Sequence, residues 1–577
     1  MLRICIGLFL SSLLASLPLM AQGQSGLFPP KKYPQNYFTW PVGAVQAIVA
    51  NFGELRPNHY HMGLDCRTEQ KENMPILAAA DGFVAKVKIE PFGFGRALYV
   101  NHPNGMTTLY AHLNDFYPEL EAYIKQEQYR LESWQVFLDL PPNRFQVKKG
   151  QFIAYSGNTG GSQGPHLHFE IRDTKTDKVL NPLLMYNNIP DNIPPDILRL
   201  AIYDRTKSVF EQSPRIVPLR KVNGVYQPAS PIPPLPFSRV SFAVTAYDRY
   251  TGSTNQNGIY EGVLWENDTP IVGFQLDSIS YDETRYLNAH IDFRMKTGGG
   301  SYVQHLSRLP GYVPGVYQEF QGDGVIALDD TVARNMRIVI GDPNGNRSTL
   351  QFAIRRSDWV PVARDAGQEK RSGLFHPGMV NILDNDQVRL MLDTYQLYDS
   401  VQVRYSRFTD VQGRITHQIL GGHVPVHTYF DVQLKYTGVG DRSKLVIRRT
   451  WNGKDYFEKA IPLGGPDRDW YKARFKALGH FQIYPDVDPP TIQPIGFRDG
   501  MDAGKLRRIL FRIDDASDDI YNFRAELDGK WLRFTNDKGR SFVYVFDELC
   551  GPGEHELKIS AEDVVGNRVE RVYRFTR

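Results

Sequence analysis

Short segments in which apolar and polar residues alternate follow one another along most of the chain, and this pattern predicts β-strands. Residues 96–113 (RALYVNHPNGMTTLYAHL) contain two such segments joined at Asn104-Gly105, a strong signal for a hairpin. A turn followed by a strand is predicted within residues 75–89 and again within residues 147–157, and another strand at residues 165–173. We therefore expect residues 22–190 to form one domain built mostly of strands.

One segment of this first domain has the spacing of a helix instead. Residues 118–134 (PELEAYIKQEQYRLESW) place Leu120, Tyr123 and Ile124 on one helical face among mixed charges. The segment predicts a helix inside an insert of about residues 115–146.

Residues 191–196 (DNIPPD) mark a boundary, after which strand patterns continue. Residues 336–354 (MRIVIGDPNGNRSTLQFAI) and 556–575 (ELKISAEDVVGNRVERVYRF) share an alternating strand, an Asp, a Gly-Asn turn and a final strand. This internal similarity predicts a repeated β-sandwich module of immunoglobulin-like proportions, at residues 191–356 and again at 488–577.

Residues 357–487 are predicted to form a further β-rich module, and no cluster of chemistry-bearing residues stands out in residues 191–577. At roughly 150 residues per domain, a chain of 577 residues suggests about four domains. The net charge of +3 is small for this length, so the sequence does not predict a nucleic-acid-binding surface.

The first 21 residues have the layout of a secretory signal peptide, with Arg3, an apolar run and small residues around Ala21. A membrane anchor is the alternative, but serines and Pro18 interrupt the run. The rest of the sequence lacks another stretch of about 20 apolar residues, so we expect no membrane span in the mature chain. An exported protein, periplasmic or secreted, is predicted.

Removal of the signal peptide with Cys5 leaves Cys66 and Cys550. Two cysteines in a large exported chain do not make a disulfide framework, so we expect two separate buried thiols. A Cys66–Cys550 disulfide is the alternative. Zinc bound by several cysteines is excluded, because such sites need closely spaced pairs.

The segment PHLHFEI, residues 165–171, is predicted to be a strand with two histidines on one face. Alternate side chains of a strand share a face, so His166, His168 and Glu170 point into one cleft. The apolar residues between them then face the core.

The segment HMGLD, residues 61–65, offers further metal ligands. If it is extended, His61 and Asp65 point the same way. Catalytic zinc takes three protein ligands and leaves the fourth position for water. His61, Asp65 and one of His166 or His168 are therefore candidate ligands of one zinc ion.

These motifs, in this order, resemble the lysostaphin-type (LytM-domain) zinc metallopeptidases, which cut peptide cross-links in bacterial peptidoglycan. The resemblance covers about residues 45–173 and rests on HMGLD, ADGFVAKV, GRALYVNHPNGMTTLYAHL and VKKGQFIAYSGNTGGSQGPHLHFEI. It implies an antiparallel-sheet, lysostaphin-like metallopeptidase domain.

The resemblance also implies the roles of five residues. One Zn²⁺ per chain is bound by His61, Asp65 and His168, while His112 and His166 are catalytic without binding the metal. Water activated by zinc is then the nucleophile, and a histidine stabilises the oxyanion or moves the proton. Which of the two histidines acts as the base stays open.

The chain departs from the family pattern at two places. The stretch after His112 is longer than in the smallest members, and its helix lies either beside the cleft, shaping access, or packed on the surface. The segment ENMPILAAADG stands where many members have Gly-Thr-Pro. We expect the second departure to be tolerated, because the Pro and the following strand remain.

Two other residues have competing interpretations. Arg56 could bind a carboxylate of the substrate, and a structural ion pair is the alternative. Ser162 in GGSQG fits a nucleophile motif, but a Pro and a strand follow where that motif needs a helix, so we expect a loop residue.

The sequence thus predicts an exported zinc endopeptidase acting on peptidoglycan stem peptides. The β modules would bind the wall, a glycan or an envelope protein. One alternative is a catalytically silent relative that binds the wall or activates another hydrolase. Another alternative is an adhesin-like or carbohydrate-binding protein, in which the β modules carry the main function and the peptidase domain is accessory.

Overall fold

A computed structural model of the chain describes residues 26–29, 31–43, 46–186, 189–358, 373–516 and 520–577. The predicted signal peptide and Cys5 lie outside these residues. Strands dominate the described part of the chain, so the predicted mostly β fold class is confirmed.

The strands of the first region pair almost entirely in antiparallel fashion. Their bounds are β1 (Ile48–Ala50), β2 (Leu55–Arg56), β3 (His59–Tyr60), β4 (Leu64–Arg67), β5 (Pro75–Leu77), β6 (Gly82–Ile89), β7 (Arg96–Asn101), β8 (Met106–Ala111), β9 (Leu113–Phe116), β10 (Val136–Asp139), β11 (Gln146–Val147), β12 (Phe152–Ser156), β13 (His166–Asp173) and β14 (Val179–Leu180).

A 10-stranded sheet, in the order β1-β4-β13-β8-β7-β6-β10 with β11 and β14 at its margins, forms the centre of this region. A 3-stranded sheet, β5-β12-β9, accompanies it. The hairpin predicted at Asn104-Gly105 is confirmed, because β7 and β8 pair on either side of it. Strand β13 lies between β4 and β8, which makes it the central strand of the predicted site.

The predicted helix is α1 (Pro118–Arg130), which has Pro at its start and acidic residues in its first turn. It ends four residues before Trp134, where the prediction placed its end, because Glu132 adopts a left-handed φ of 47°. The chain then continues as β10, which pairs with β6. The insert therefore extends the central sheet as well as adding a helix.

Helix α1 packs against the C-terminal region and does not line the cleft that contains the candidate metal ligands. Lys125 Nζ donates to Asp547 Oδ2 at 3.1 Å, and the rings of Tyr129 and Trp531 meet edge to face at 5.2 Å. Of the two interpretations of the insert, the structure supports the packed helix.

The second region contains an 11-stranded sheet in the order β22-β18-β15-β16-β17-β26-β25-β19-β20-β23 with β24 on β18, and short helices α2 (Leu287–His290) and α3 (Phe293–Thr297). Its strands are β15 (Asp196–Asp204), β16 (Arg215–Val222), β17 (Val225–Pro228), β18 (Arg239–Tyr247), β19 (Glu261–Glu266), β20 (Thr269–Gln275), β21 (Ser278–Ile279), β22 (Gln304–His305), β23 (Tyr317–Glu319), β24 (Ile326–Ala327), β25 (Arg334–Gly341) and β26 (Arg347–Ile354).

The third region contains two 5-stranded sheets, β28-β29-β33-β37-β36 and β31-β32-β38-β34-β35, and the pair β27-β30. Its strands are β27 (Leu374–Phe375), β28 (Asn381–Asp384), β29 (Val388–Leu392), β30 (Val401–Gln402), β31 (Tyr405–Thr409), β32 (Ile415–Ile419), β33 (Pro425–Lys435), β34 (Leu445–Trp451), β35 (Lys454–Lys459), β36 (Ile461–Pro462), β37 (Trp470–Ala477) and β38 (Gly479–Pro485).

The C-terminal region contains a 3-stranded sheet, β39-β41-β44, and a 5-stranded sheet, β40-β46-β45-β42-β43, around one hydrophobic core. Its strands are β39 (Thr491–Ile495), β40 (Met501–Asp502), β41 (Arg508–Asp514), β42 (Asn522–Leu527), β43 (Lys530–Trp531), β44 (Ser541–Val545), β45 (Glu554–Glu562) and β46 (Arg568–Thr576). The two segments of the predicted repeat are hairpins in both regions, β25–β26 and β45–β46. The sandwich architecture and the module boundaries stay predictions.

The first region has buried residues of its own, among them the cluster of Ala97, Leu109 and Ala111, and it also shares a core with other regions. One hydrophobic cluster includes Phe52 and Met62 from the first region and extends to Ile483 in the third. Strand β14 also pairs with β21 of the second region, which is how the 10-stranded sheet is completed. Pro34–Arg577 accordingly form one unit. In the other unit, Met1–Tyr33, the described residues form no helix or strand.

Cys66 and Cys550 are both buried and unbonded, as expected for two separate thiols. Within the described residues, no helix is long and apolar enough to cross a membrane.

Replacing Ile124 of α1 tests how much the insert contributes to stability. Its side chain is fully buried, so Ile124→Ala should lower the free energy of unfolding by ~2–5 kcal/mol, measured by urea denaturation. Leu131→Ala, at a 45% exposed position just after the helix, should change it by less than about 0.5 kcal/mol. Equal effects of the two substitutions would contradict a packed helix.

Candidate metal centre

The register of β13 brings the candidate ligands together. His168 pairs with Asp65 of β4 on one side and with Ala111 of β8 on the other, and His112 follows directly. The apolar side chains of β13, Leu167 and Phe169 among them, are fully buried on the opposite face. The alternation predicted for PHLHFEI therefore holds, and it turns His168 toward the cleft.

The segment HMGLD is not the continuous strand that the sequence predicted, because β4 begins only at Leu64. His61 is held by its backbone, whose N–H donates to Glu54 O at 2.7 Å. Gly63 explains the irregular path: a Cβ there would lie 2.5 Å from the carbonyl oxygen of Phe169. The backbone of this segment thus approaches β13 closely enough for His61 to reach His168.

Three buried donor atoms meet at the base of the cleft. His61 Nε2 lies 2.9 Å from Asp65 Oδ1, and His168 Nδ1 lies 3.1 Å from the same oxygen. The two imidazole nitrogens are 3.0 Å apart. These atoms form a nearly equilateral triangle, so a single ion can contact all of them.

The hydrogen bonds of the imidazoles fix which ring nitrogens are free. His61 Nδ1 lies 2.7 Å from the carbonyl oxygen of Asn51, which only accepts, so Nδ1 carries the proton and Nε2 has a lone pair. His168 Nε2 lies 2.9 Å from Glu170 Oε1 and donates to it, which leaves the lone pair on Nδ1. In these tautomers two lone pairs and one carboxylate oxygen converge, an arrangement that favours a positive charge between them.

This donor set fits zinc. Bonds of about 2.0–2.2 Å in a tetrahedral arrangement place ligand atoms roughly 3.3–3.6 Å apart, so the triangle needs to open by only a few tenths of an ångström. Imidazole nitrogens that donate their second N–H to a carboxylate or a carbonyl oxygen are typical of zinc ligands. Three groups of described side chains could bind a metal ion, and the group of His61, Asp65 and His168 is the one that contains histidine.

The pKa shifts of Asp65 and His168 also indicate a site that favours a positive charge. Burial raises the pKa of Asp65, but His61 and the hydrogen bonds from His166 and His168 hold it well below its usual range. Burial lowers the pKa of His168, yet Asp65 and Glu170 raise it to about 9. Without a metal ion, a proton on His168 takes the place of the cation.

Arg56 forms the ion pair that was the alternative to substrate binding. Its guanidinium lies 3.0 Å from Asp65 Oδ2 and 2.9 Å from Glu54 Oε1. The contact occupies the oxygen of Asp65 that faces away from the histidines, so it orients the carboxylate. The side chain also borders the cleft.

His112 and His166 lie beside the donor triangle. Their ring centroids are 4.9 Å apart, and that of His112 is 5.9 Å from His168. His112 Nδ1 donates to Thr159 O at 2.9 Å, which leaves Nε2 free. His166 Nδ1 donates to Gly164 O at 2.7 Å, and its Nε2 lies 3.3 Å from Asp65 Oδ1. All five predicted residues therefore meet in one place.

The cleft has a volume of about 1400 Å³ and is bordered by residues from two regions of the chain. Tyr281 and Asn255 reach it from the second region. Tyr281 donates to Glu170 Oε1 at 2.5 Å, so it supports the carboxylate that orients His168. No sequence pattern indicates this residue, because it lies more than a hundred positions from the motif and in another region.

The C-terminal region also reaches the cleft wall. The loop with Ser162 contains no helix, as expected, and Lys538 Nζ donates to the carbonyl oxygens of Gly160 and Ser162 at 3.3 and 2.8 Å. Gly160 N in turn donates to Asp537 O at 3.1 Å. The loop that precedes His166 is therefore fixed by a distant part of the chain.

Comparisons with known proteins agree with this geometry. A family model described as peptidase family M23 matches residues 59–129 and 143–182, and one described as a Zu5-like domain matches residues 372–486. An uncharacterised metalloprotease of Haemophilus influenzae is 35% identical over 131 residues, which are 23% of this chain and 21% of that protein.

Two named peptidases are similar over the same region. The DD-carboxypeptidase/endopeptidase Mpg of Neisseria gonorrhoeae is 35% identical over 112 residues, covering 19% of this chain and 20% of that protein. The peptidoglycan DD-endopeptidase ShyA of Vibrio cholerae is 30% identical over 138 residues, covering 23% and 26%. The matched region spans about a fifth to a quarter of the length of these relatives.

Among solved structures, a zinc-containing peptidase from Vibrio cholerae is 28% identical, with a TM-score of 0.18, over 24% of this chain and 37% of that chain. The catalytic domain of lysostaphin from Staphylococcus simulans is 21% identical, with a TM-score of 0.17, over 23% and 86%. The resemblance stated from the motifs is confirmed: this chain contains a domain of peptidase family M23.

Proposed function

We propose that the chain is an exported zinc endopeptidase that hydrolyses peptide cross-links of bacterial peptidoglycan. The main support is the convergence of three donor atoms, His61 Nε2, Asp65 Oδ1 and His168 Nδ1, at the base of an open cleft. The M23 match and the names of its relatives support the substrate class. Export is proposed from the signal-peptide pattern alone.

His61, Asp65 and His168 would hold one zinc ion. When bound, zinc supplies Lewis acidity, which polarises a peptide carbonyl and lowers the pKa of water at the open fourth position. Glu170 and Asn51 keep the two imidazoles in the tautomers that bind a metal, and Arg56 holds the far oxygen of Asp65.

His112 is proposed to accept the proton of the attacking water at Nε2. Burial, with His168 and His166 nearby, lowers the pKa of His112 to about 3, so the ring is neutral at neutral pH. His112 also adopts a left-handed φ of 61°, a strained conformation that costs of order 1–3 kcal/mol and is typical of active sites.

His166 is proposed to stabilise the oxyanion. Its ring borders the cleft, with Nδ1 2.7 Å from Gly164 O and Nε2 3.3 Å from Asp65 Oδ1, beside the donor triangle. A hydrogen-bond donor placed beside the developing negative charge lowers the barrier. The different surroundings of His112 and His166 thus separate the two roles.

Hydrolysis of purified peptidoglycan by the mature full-length chain tests the proposed activity. The parent should release cleaved stem peptides, identified by mass spectrometry, and removal of zinc with a chelator should abolish their release. His168→Ala should lose both bound zinc and activity, because it removes one of three ligands.

The same experiment distinguishes the alternatives. A parent that binds one equivalent of zinc and retains peptidoglycan but releases no peptide would contradict the enzyme and favour a silent wall-binding relative. Tight glycan binding by His168→Ala together with an inactive parent would favour a protein in which the β regions are primary.

His112→Ala separates catalysis from metal binding. We expect activity to fall by about 10²–10⁴-fold while zinc content, measured by atomic emission, stays at one per chain. His555→Ala, in the C-terminal region, should keep both values. A loss of zinc in His112→Ala would instead make this residue a ligand.

Tyr281→Phe tests whether the second region supports the metal centre. Loss of its hydrogen bond to Glu170 should weaken zinc affinity by about 10–100-fold in competition with a chelating dye. Tyr155→Phe, at an exposed position outside the cleft, should bind zinc like the parent. If the parent and both variants bind zinc with equal affinity, Tyr281 does not support the metal centre.

A further inference from the structure

Three aspartates form a second cluster at the start of the second region, away from the cleft. Asp191 lies in the segment that leads into β15, Asp248 follows β18 and Asp342 follows β25. Each contributes a carboxylate oxygen to a group in which all atoms lie within 4.8 Å of one another. The cluster thus brings together carboxylates, which repel one another when charged, from segments that are distant in sequence.

Several oxygens of this cluster are buried without a partner. Asp248 is fully buried, and neither of its carboxylate oxygens accepts a hydrogen bond from the described residues. Asp191 Oδ2 is also buried and unpartnered. Asn257 faces Asp248 across a β-bridge, is 2% exposed, and leaves its Oδ1 unpartnered as well.

Among the described residues, no positively charged side chain is paired with the cluster. Across the described ranges, no Lys, Arg or His nitrogen forms an ion pair with Asp191, Asp248 or Asp342. Burial raises the pKa of Asp248 to about 8, and the carboxylates of Asp342 and Asp191 add to the rise. Uncompensated buried carboxylates are costly, so the site requires either protons or a cation.

The two carboxylate oxygens of Asp342 are held by hydrogen bonds from the turn that follows β25. Asp342 Oδ1 accepts the backbone N–H groups of Asn344 and Asn346, both at 2.9 Å. The side-chain amide of Asn346 donates to Asp342 Oδ2 at 2.7 Å and to Asp191 O at 3.2 Å. The amide therefore links the turn to the segment that precedes β15.

The same construction occurs in the C-terminal region. Asp563 Oδ1 accepts the backbone N–H of Asn567 at 2.9 Å, and the amide of Asn567 donates to Asp563 Oδ2 at 2.7 Å. The amide also donates to Asp486 O at 3.0 Å. The internal repeat detected in the sequence thus preserves this arrangement, although the sequence analysis assigned no chemistry to it.

The donor chemistry identifies the class of cation. The cluster offers oxygen alone, which excludes the softer metals that prefer nitrogen or sulfur. Oxygens on opposite sides of a Ca²⁺ ion are about 4.6–5.2 Å apart, so all three carboxylates can contact one ion. Mg²⁺ usually retains several waters, whereas both oxygens of the fully buried Asp248 are free for bidentate binding.

We propose that Asp191, Asp248 and Asp342 bind one Ca²⁺ ion, a structural site separate from the zinc centre. Asn257 Oδ1 is a further candidate ligand. The ion binds the segment before β15 to the ends of β18 and β25, and so fixes the orientation of the second region at the point where the chain leaves the peptidase domain.

The site is connected to the zinc centre through the loop of residues 248–258. Asp248 and Asn257 exchange backbone hydrogen bonds at 2.9 Å, which closes the loop. Gly258 N donates to Asn51 Oδ1 at 2.9 Å, and Asn51 Nδ2 donates to Gly258 O at 2.8 Å. The carbonyl oxygen of Asn51 then accepts from His61. Calcium binding therefore stabilises the loop that supports a zinc ligand.

Calorimetric titration of the zinc-loaded full-length chain with CaCl₂, combined with thermal unfolding, tests the proposal. The parent should bind Ca²⁺, and Ca²⁺ should raise its Tm, because a ligand that binds only the folded state stabilises it. Asp248→Asn should bind Ca²⁺ at least about tenfold more weakly and show no rise in Tm. Asp268→Asn, in an exposed turn of the same region, should behave like the parent.

A folding defect in Asp248→Asn is distinguishable from loss of the ion. Near neutral pH and without an ion, burial keeps most of the Asp248 carboxyl protonated, because its pKa is about 8. Asn replaces it with a neutral group of similar shape, so in Ca²⁺-free buffer the Tm of the variant should be close to that of the parent. The proposal would be overturned if the parent neither bound Ca²⁺ nor gained Tm from it, or if Mg²⁺ had an equal effect on binding and Tm. A Ca²⁺ response retained by Asp248→Asn would also overturn it and assign the ion to another site, first Asp486, Asp515 and Asp563.

Discussion

Antiparallel pairing of β13 with β4 and β8 is the constraint on which the candidate zinc centre depends. The register places His168 beside Asp65 and next to the residue that precedes His112. Since a shift of one residue would turn every side chain of β13 to the opposite face, burial of its apolar residues also fixes the direction of His168. Core packing and metal binding are therefore two consequences of one register.

The peptidase domain depends on the rest of the chain for its shape. Its sheet is completed by β21, and Phe52, Tyr60, Met62 and Val179 join the core of the second and third regions. Tyr281 and Lys538 bind groups at the cleft. The β regions thus have a structural role in addition to any binding role. The proposed calcium site fits this pattern, because it lies where the second region joins the first.

Local patterns predicted the strands and the hairpin at Asn104-Gly105, because periodicity and turn residues determine them. They also brought together His61, Asp65 and one of His166 or His168 as candidate ligands, and the choice of His168 came from the family resemblance. The end of α1 was placed too late, since the left-handed backbone at Glu132 leaves little trace in the sequence. Tyr281 and the cluster around Asp248 were missed for a different reason. Their roles arise from contacts between distant segments, and single aspartates or tyrosines carry no signal for such contacts.

The central claim is that His61, Asp65 and His168 bind one zinc ion. A crystal structure of the full-length chain, with diffraction recorded on both sides of the zinc absorption edge, tests it most directly. We expect one anomalous peak specific to zinc, within bonding distance of His61 Nε2, Asp65 Oδ1 and His168 Nδ1. A zinc-saturated crystal with no peak there, or with zinc bound by other residues, would contradict it.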